Sequence, residues 1–283
     1  MSLIQIIILA VIQGFAELLP VSSSAHVILA QKLMGLDSSS PEMTFFLVML
    51  HTGTMFAVLV YFFKRWKERI KNRSSLQTFV KGLILATAVT GVFGLGLKLL
   101  IEKVILEHFI GVQKGEVESL FSILPLIAFS LVVAGTLIIV AGRRKVSNSA
   151  QNFSDKSALI VGFVQGLCLP FRGLSRSGAT ISTAVLCGTS FRFAEDFSFA
   201  LAVLLTPPVI FLEVHRLMKA NVDQAHLMTL VTPGLVGMVF SFISGLLALK
   251  WLSAWLEEGR WSRFGYYCLA LAAVTLGIYF FQG

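Results

Sequence analysis

Apolar stretches alternate with short polar connections along the whole chain. A helix that crosses the hydrocarbon core of a bilayer needs roughly twenty apolar residues. Stretches of this kind lie at 43–63, 82–101, 119–141, 197–214, 228–250 and 263–281. The pattern predicts an all-α polytopic membrane protein with about six transmembrane helices, forming a single membrane domain over residues 1–283.

Two further apolar stretches are broken by polar residues. Residues 2–18 and 25–36 are too short for comfortable spans, and between them lie Pro20 and three serines. The stretch at 157–190 is interrupted in the same way by LPFRGLSRSGATIS. Each is predicted to form two short helices joined by a polar elbow. Such a re-entrant hairpin is tolerated in a bilayer only where its backbone is buried in protein or lines a cavity.

The two broken segments resemble each other. VIQGFAELLPVSSSAH at 11–26 and VQGLCLPFRGLSRSGAT at 164–180 share Gln-Gly, Leu-Pro and a serine-rich elbow, and a Phe-rich span follows each. A hairpin returns to the side of the membrane from which it entered, whereas three spans end on the opposite side. The second half of the chain therefore starts on the opposite side from the first. We expect an inverted-topology repeat, with halves at about 1–145 and 150–283, whose elbows meet near the middle of the membrane.

Composition and charge agree with a membrane protein. The chain is 56% hydrophobic and 13% charged, with a mean hydropathy of +0.83, whereas soluble domains carry about 25% charged residues. The net charge is +8, but seven Lys or Arg lie in the connection at 64–81 and three more at 143–145. These connections are expected on the cytoplasmic side and the acidic one at 102–118 outside, which places both termini outside. We expect contacts with anionic membrane lipids and no nucleic-acid partner.

The N-terminus and the cysteines suggest no processing and no metal centre. The first residues lack the basic region of a signal peptide, so they are interpreted as mature protein. Cys168, Cys187 and Cys268 have apolar neighbours and no metal-ligand spacing, and we expect them to be small buried side chains.

Ionisable side chains are rare in the apolar segments. Each such group is costly in a membrane and is therefore a functional candidate. The candidates are Glu17, His26, His51, Arg172 and Arg176.

The first elbow carries the components of an activated nucleophile. Gln13 and Glu17 are four residues apart and share a helical face. Ser23 and His26 should project from adjacent turns of a helix that begins at the serines. A hydroxyl, a base and a carboxylate close together can activate a nucleophile.

The serines of the first elbow also have a simpler explanation, because they suit the capping of a helix. For Ser22 and Ser24 both interpretations stay open, while for Ser23 we favour a functional role. The second elbow resembles a phosphate cradle, since Arg176 offers a planar fork and small residues allow close approach. The alternative for Arg176 is an arginine that reaches to the membrane interface.

The two elbows resemble the signature regions of the undecaprenyl-diphosphate phosphatase family, also called the bacitracin-resistance family. QGFAELLPVSSSAH is similar to that family's Glu/Gln-x-x-x-Glu element followed by Pro-Val-Ser-Ser and a histidine. GLSRSGAT is similar to its Pro-Gly-x-Ser-Arg-Ser-x-x-Thr element, although Arg172 replaces the proline. This change alters the elbow's backbone or adds a second cation. The resemblance covers nearly the whole chain.

The resemblance implies a role for each matching residue. Ser23 is the candidate nucleophile, His26 a general acid or base, and Glu17 completes the catalytic group. Gln13 and Glu17 would polarise the nucleophile or hold a divalent cation, Mg²⁺ or Ca²⁺. The residues implied in substrate binding are Ser22, His51, Ser175, Arg176, Ser177, Gly178 and Thr180.

The implied activity is hydrolysis of undecaprenyl diphosphate to undecaprenyl phosphate and inorganic phosphate in the bacterial cytoplasmic membrane. It would recycle the lipid carrier for cell-wall synthesis and confer bacitracin resistance. A phosphoserine intermediate and direct attack by water both stay open, and the resemblance favours a site that opens on the outer face. A homodimer is a candidate assembly. The alternatives are a transporter or flippase for a polyprenyl phosphate and, less favoured, a structural scaffold.

Overall fold

The computed structural model describes residues 1–37, 40–100, 124–144, 153–171, 173–219 and 224–282. Arg172 and the acidic connection predicted at 102–118 lie outside these ranges. The described residues form ten α-helices and no strand. The helices are α1 (Leu3–Leu18), α2 (Ser23–Leu33), α3 (Pro41–Ile70), α4 (Arg73–Leu100), α5 (Leu124–Gly142), α6 (Asp155–Cys168), α7 (Arg176–Leu186), α8 (Phe191–Lys219), α9 (Gln224–Glu257) and α10 (Trp261–Gln282).

Six of these helices are long and apolar enough to cross a membrane, which confirms the predicted spans within the described part of the chain. They are α3, α4, α5, α8, α9 and α10. The chain is therefore a multi-pass membrane protein.

The two broken segments form pairs of short helices, as predicted. The first pair, α1 and α2, has 16 and 11 residues, and the second, α6 and α7, has 14 and 11. At about 1.5 Å per residue, none of these helices reaches the roughly 30 Å of a hydrocarbon core. The two helices of each pair contact one another. The inversion of one half relative to the other stays a prediction.

The basic connection at 64–81 is mostly helical. Helix α3 continues to Ile70 and α4 begins at Arg73. Lys and Arg are good helix formers, and a helix that leaves the hydrocarbon core keeps satisfying its own backbone.

The helices divide into two compact units, and each combines residues from both predicted repeats. The first unit contains Met1–Leu19, Ser23–Arg65 and Ala202–Ala254. The second contains Pro20–Ser22, Trp66–Leu201 and Trp255–Gly283. The single membrane domain stays a prediction.

In the first unit, a glycine on α1 and one on α3 allow these two helices to approach the backbone of α9. A Cβ atom added at Gly14 would meet Ser244 and lie 2.6 Å from the carbonyl oxygen of Ser241. One added at Gly53 would collide with the carbonyl oxygen of Met238. Membrane helices pack through small residues because lipid supplies no hydrophobic force between them. Helix α9 thereby holds α1 and α3 at a set distance from its axis.

One serine of α9 adds a hydrogen bond to these contacts. Ser241 is buried, and its Oγ donates to the carbonyl oxygen of Leu50 at 2.9 Å. This bond fixes the stretch of α3 that carries residue 51. Ser244 Oγ donates to the carbonyl oxygen of Phe240 in its own helix at 2.8 Å and lies 3.5 Å from that of Ala10.

In the second unit, α7 is enclosed by protein. Its residues from Ser177 to Val185 are all buried, and it contacts α5 and α6. Trp261 Nε1 at the start of α10 donates to Ser182 Oγ at 3.1 Å. Enclosure satisfies the requirement that a broken helix at membrane depth be buried in protein.

A buried ion pair joins the ends of three helices in the second unit. Arg69 Nη2 of α3 lies 2.8 Å from Asp196 Oδ2 of α8, and the guanidinium stacks over Phe79 of α4 at 4.6 Å. The side chains of Arg69 and Asp196 are 12% and 5% exposed. Sequence reasoning counted Arg69 only as a topology charge and passed over Asp196. A buried charge without its partner is strongly destabilising, so this pair fixes how the three ends meet.

Replacing Gly53 with alanine should destabilise the protein by about 1–3 kcal/mol, because the new methyl group overlaps the backbone of Met238. The measurement is the thermal unfolding midpoint in detergent. Gly91→Ala is the matched control, since a Cβ atom at Gly91 meets nothing within 4 Å. Equal midpoints for the two variants would contradict the close approach of α3 and α9.

Candidate active site

The first elbow lies where α1 ends and α2 begins. Helix α1 stops at Leu18, and Pro20 prevents its continuation because proline has no N–H to donate. Ser22 has a φ of 68°, and among the described residues it is the one non-glycine with positive φ. Such a conformation is uncommon and often marks a functional turn. Helix α2 then begins at Ser23, as the sequence predicted.

Three side chains of the first unit converge on one oxygen of Glu17. Ser23 Oγ donates to Glu17 Oε2 at 2.6 Å, and Gln13 Nε2 donates to the same atom at 3.3 Å. The His51 Nε2 atom lies 3.8 Å from it. The Glu17 side chain is 14% exposed, so its carboxylate depends on these neighbours for stabilisation. The shared face predicted for Gln13 and Glu17 is confirmed by their hydrogen bond.

The orientation of His51 is set by the backbone of its own helix. Its Nδ1 lies 2.8 Å from the carbonyl oxygen of Leu47. A carbonyl only accepts, so Nδ1 carries a proton and Nε2 is the nitrogen that faces Glu17. The His51 side chain is 42% exposed, which leaves one side of this cluster open.

The remaining residues of the first elbow differ in burial. His26 follows Ser23 by three residues on α2 and is half-buried. Ser24 is exposed, whereas Ser22 is buried. The side chain of Ser24 therefore points away from the buried part of the elbow.

The donors around Glu17 fit a divalent cation only as a partial site. No group of three or more His, Cys, Asp or Glu side chains within the described ranges could hold a metal ion. Mg²⁺ is usually held by one or two carboxylates together with substrate phosphates and water. Glu17 is the one carboxylate here that could serve such a site, while Gln13 turns its amide nitrogen toward it.

The second elbow is built on a glycine that no other residue replaces easily. Gly173 has a φ of 109°, and a Cβ atom there would lie 2.7 Å from the carbonyl oxygen of Ile127. The chain then enters α7, where Ser175 caps the helix by accepting from the N–H of Gly178 at 3.2 Å. Ser175 is buried, and its side chain fixes the first turn of the helix that begins with Arg176.

The two elbows touch within the second unit. A Cβ atom added at Gly178 would lie 3.2 Å from Pro20 Cβ and 2.8 Å from Ile138 Cδ1. Cys268 Sγ donates to the carbonyl oxygen of Pro20 at 3.4 Å. Because residue 178 is a glycine, Pro20 of the first elbow can pack beside the start of α7.

Thr180 is held by a serine that sequence reasoning missed. Its Oγ1 donates to the carbonyl oxygen of Arg176 at 2.8 Å and lies 2.6 Å from Ser198 Oγ. Thr180 and Ser198 are both buried. Because the threonine proton is used by the backbone, Ser198 is the donor to Thr180. Arg176 itself is half-buried, and Ser177 Oγ lies 3.5 Å from Ser175 Oγ.

Only one of the three cysteines is buried as predicted. Cys268 is buried, but Cys168 and Cys187 are half-buried at the ends of α6 and α7.

Comparisons with known proteins agree on one family. The family described as "Bacitracin resistance protein BacA" matches residues 6–274. The chain is 56% identical to undecaprenyl-diphosphatase 2 of Acinetobacter baylyi over 98% of both chains. It is 35% identical to undecaprenyl-diphosphatase of Desulfosudis oleivorans, with 98% of this chain and 99% of that protein covered. It is 30% identical to undecaprenyl-diphosphatase 1 of Clostridioides difficile, with coverage of 99% and 97%.

Replacing Ser22 with valine should destabilise the protein by about 1–3 kcal/mol, because a β-branched residue is strained at positive φ. Ser22→Gly should preserve the unfolding midpoint, since glycine adopts this conformation without strain. Thermal unfolding in detergent measures both. A valine variant as stable as the glycine variant would show that the elbow does not need this backbone.

Proposed function

The chain belongs to the bacitracin resistance protein BacA family, and on this premise we propose that it hydrolyses undecaprenyl diphosphate to undecaprenyl phosphate and inorganic phosphate. The names of its relatives support the substrate. The proposal places the protein in the bacterial cytoplasmic membrane, where it recycles the lipid carrier for cell-wall synthesis and confers bacitracin resistance. A homodimer is the assembly we propose to test.

The observation that carries the proposal is the 2.6 Å hydrogen bond from Ser23 Oγ to Glu17 Oε2. A carboxylate that accepts from a serine hydroxyl is placed to take its proton, and a deprotonated hydroxyl is a strong nucleophile. In this mechanism Ser23 Oγ attacks the terminal phosphorus as its proton passes to Glu17. The bond from phosphorus to the bridging oxygen breaks, and undecaprenyl phosphate leaves.

The second half of the reaction frees the serine. Water gives a proton to a general base as its oxygen attacks the phosphorus of the phosphoserine. The bond to Ser23 Oγ breaks, Ser23 Oγ takes back the proton held by Glu17, and inorganic phosphate leaves. His26 is assigned to general acid or base catalysis in these steps because it lies on the next turn of α2. Gln13 keeps Glu17 oriented through its own hydrogen bond at 3.3 Å.

Arg176 is assigned to the negative charge of the diphosphate. A guanidinium matches phosphate oxygens with two parallel hydrogen bonds, and the start of a helix also favours an anion. Ser175 caps this helix and Thr180 bonds to the carbonyl oxygen of Arg176, so both support the turn that carries the guanidinium. We assign Ser22, Ser177, Gly178 and His51 to the surroundings of the substrate.

A divalent cation bound by Glu17 and Gln13 would neutralise charge on the diphosphate. Phosphoryl transfer depends mainly on positioning and on such neutralisation. The long isoprenoid tail accounts for a site within a membrane protein, because the lipid then stays in the bilayer during the reaction.

The alternative is a carrier that moves a polyprenyl phosphate without cleaving it. A carrier would use Arg176 to hold the phosphate, but it has no need for a carboxylate hydrogen-bonded to a serine. The bond from Ser23 to Glu17 therefore favours the enzyme.

Ser23→Ala should reduce release of phosphate from undecaprenyl diphosphate by at least about 10³-fold, because the nucleophile is lost. The assay uses purified full-length protein in detergent with Mg²⁺ or Ca²⁺. Ser24→Ala, which changes an exposed neighbour, should keep the wild-type rate. A wild-type rate of phosphate release by Ser23→Ala would remove Ser23 from the mechanism. An inactive wild-type protein that still binds the lipid would favour the carrier.

Arg176→Lys should keep the fold but reduce kcat/KM by about 10²–10³-fold, because lysine keeps the charge without the planar fork. Arg192→Lys is the matched control, since Arg192 is exposed at the start of α8. Similar kcat/KM values for the two variants would exclude a specific contact between Arg176 and the diphosphate.

A further inference from the structure

The second elbow passes against the side of α5. A Cβ atom added at Gly173 would lie 2.7 Å from the carbonyl oxygen of Ile127 and 3.0 Å from Ser130 Cβ. Two residues after Gly173 comes Ser175, which caps α7, and Arg176 follows it. Consecutive Cα atoms are about 3.8 Å apart, so the Cα atoms of Gly173 and Arg176 are at most about 11 Å apart. The Ser130 side chain and the guanidinium of Arg176 can therefore contact the same small anion.

The face of α5 that covers the elbow and α7 is apolar apart from Ser130. Its members are spaced by three or four residues and are all buried: Ile127, Ser130, Ala134 and Ile138. At the far end of this face, Ile138 Cδ1 would lie 2.8 Å from a Cβ atom added at Gly178 of α7. The hydroxyl thus lies at the level of the elbow, while apolar side chains pack along the helix that follows the elbow.

The hydroxyl of Ser130 has a proton that the protein does not use. Hydroxyls on membrane helices commonly donate to the carbonyl oxygen four residues earlier, as Thr136 does to Val132 at 2.8 Å on the same helix. Within the described part of the chain, Ser130 Oγ forms neither this bond nor another one, although the residue is only 3% exposed. A buried polar group in this condition calls for an explanation, because burial without a hydrogen bond is costly.

We propose that Ser130 Oγ donates a hydrogen bond to the diphosphate of the substrate, beside the contact made by Arg176. The inference rests on the proposed function for the identity of the anion, and it adds a residue of α5 to the binding site. Hydrogen bonds to a charged oxygen are stronger than those between neutral groups. A hydroxyl also carries no charge, so it does not repel the guanidinium beside it.

A competing explanation is that residue 130 needs only to be small, so that the backbone of Gly173 can pass. That explanation involves the Cβ atom alone, and an alanine satisfies it equally well. The substitution Ser130→Ala therefore separates a contact with the ligand from close packing.

The experiment measures, by calorimetry, the binding of farnesyl diphosphate to the purified full-length protein in detergent. Every protein carries Ser23→Ala, so that this short prenyl diphosphate is not hydrolysed. Adding Ser130→Ala should weaken binding by at least about tenfold, because a hydrogen bond to a charged group is lost. The thermal unfolding midpoint should not change, since the substitution removes no hydrogen bond among the described residues.

Thr136→Ala in the same Ser23→Ala protein is the matched control, because Thr136 is exposed on α5 and bonds to its own helix. It should keep the affinity. The proposal would be overturned by an unchanged affinity in the Ser130→Ala protein, or by a loss of affinity that comes with a lower unfolding midpoint. A Ser23→Ala protein that binds no farnesyl diphosphate would overturn it as well.

The proposed reaction is tested separately, by phosphate release from undecaprenyl diphosphate with Ser23 in place. Release by a protein whose affinity does not depend on Ser130 would refute the contact and leave the reaction standing. An affinity that depends on Ser130, in a protein that never releases phosphate, would do the reverse.

Discussion

The carboxylate of Glu17 is the constraint on which the first unit depends. An ionised group near the end of a short apolar helix is costly unless its neighbours stabilise it. Glu17 Oε2 accepts hydrogen bonds from Ser23 and Gln13, and His51 faces it. The hydrogen bond from Ser23 to this oxygen needs the chain to turn back at residues 19–22. The position of His51 beside it needs α3 to pass next to α1. The atoms that stabilise the carboxylate are also those that the proposed chemistry needs.

Close helix packing makes that arrangement possible. Gly14 on α1 and Gly53 on α3 lie against the backbone of α9, so there is no space for a side chain at either position. In a membrane the approach of helices relies on such small residues and on hydrogen bonds like that from Ser241 to Leu50. The geometry around Glu17 is therefore set partly by α9, a helix that carries none of the residues assigned to the chemistry.

In the second unit, neighbouring residues hold the turn that carries Arg176. Arg176 begins a helix that Ser175 caps and that protein encloses along its length. Ser198 holds Thr180, which in turn bonds to the carbonyl oxygen of Arg176. A guanidinium held by a rigid turn loses less conformational freedom when it binds an anion than one on a mobile loop.

The sequence by itself determined the six spans, the two broken hairpins and most residues of the candidate site. These features are local: hydrophobic period and length identify spans, and a four-residue spacing places Gln13 beside Glu17. The family resemblance added roles that spacing alone does not assign.

Contacts between residues distant in sequence were decided only by the tertiary structure. Ser198 lies beside Thr180, Asp196 pairs with Arg69, and His51 turns Nε2 toward Glu17. Each of these depends on how separate helices pack, and helix packing follows from the fit of many side chains at once. A single ring orientation or a buried ion pair therefore leaves no periodic signal in the sequence from which it could be predicted.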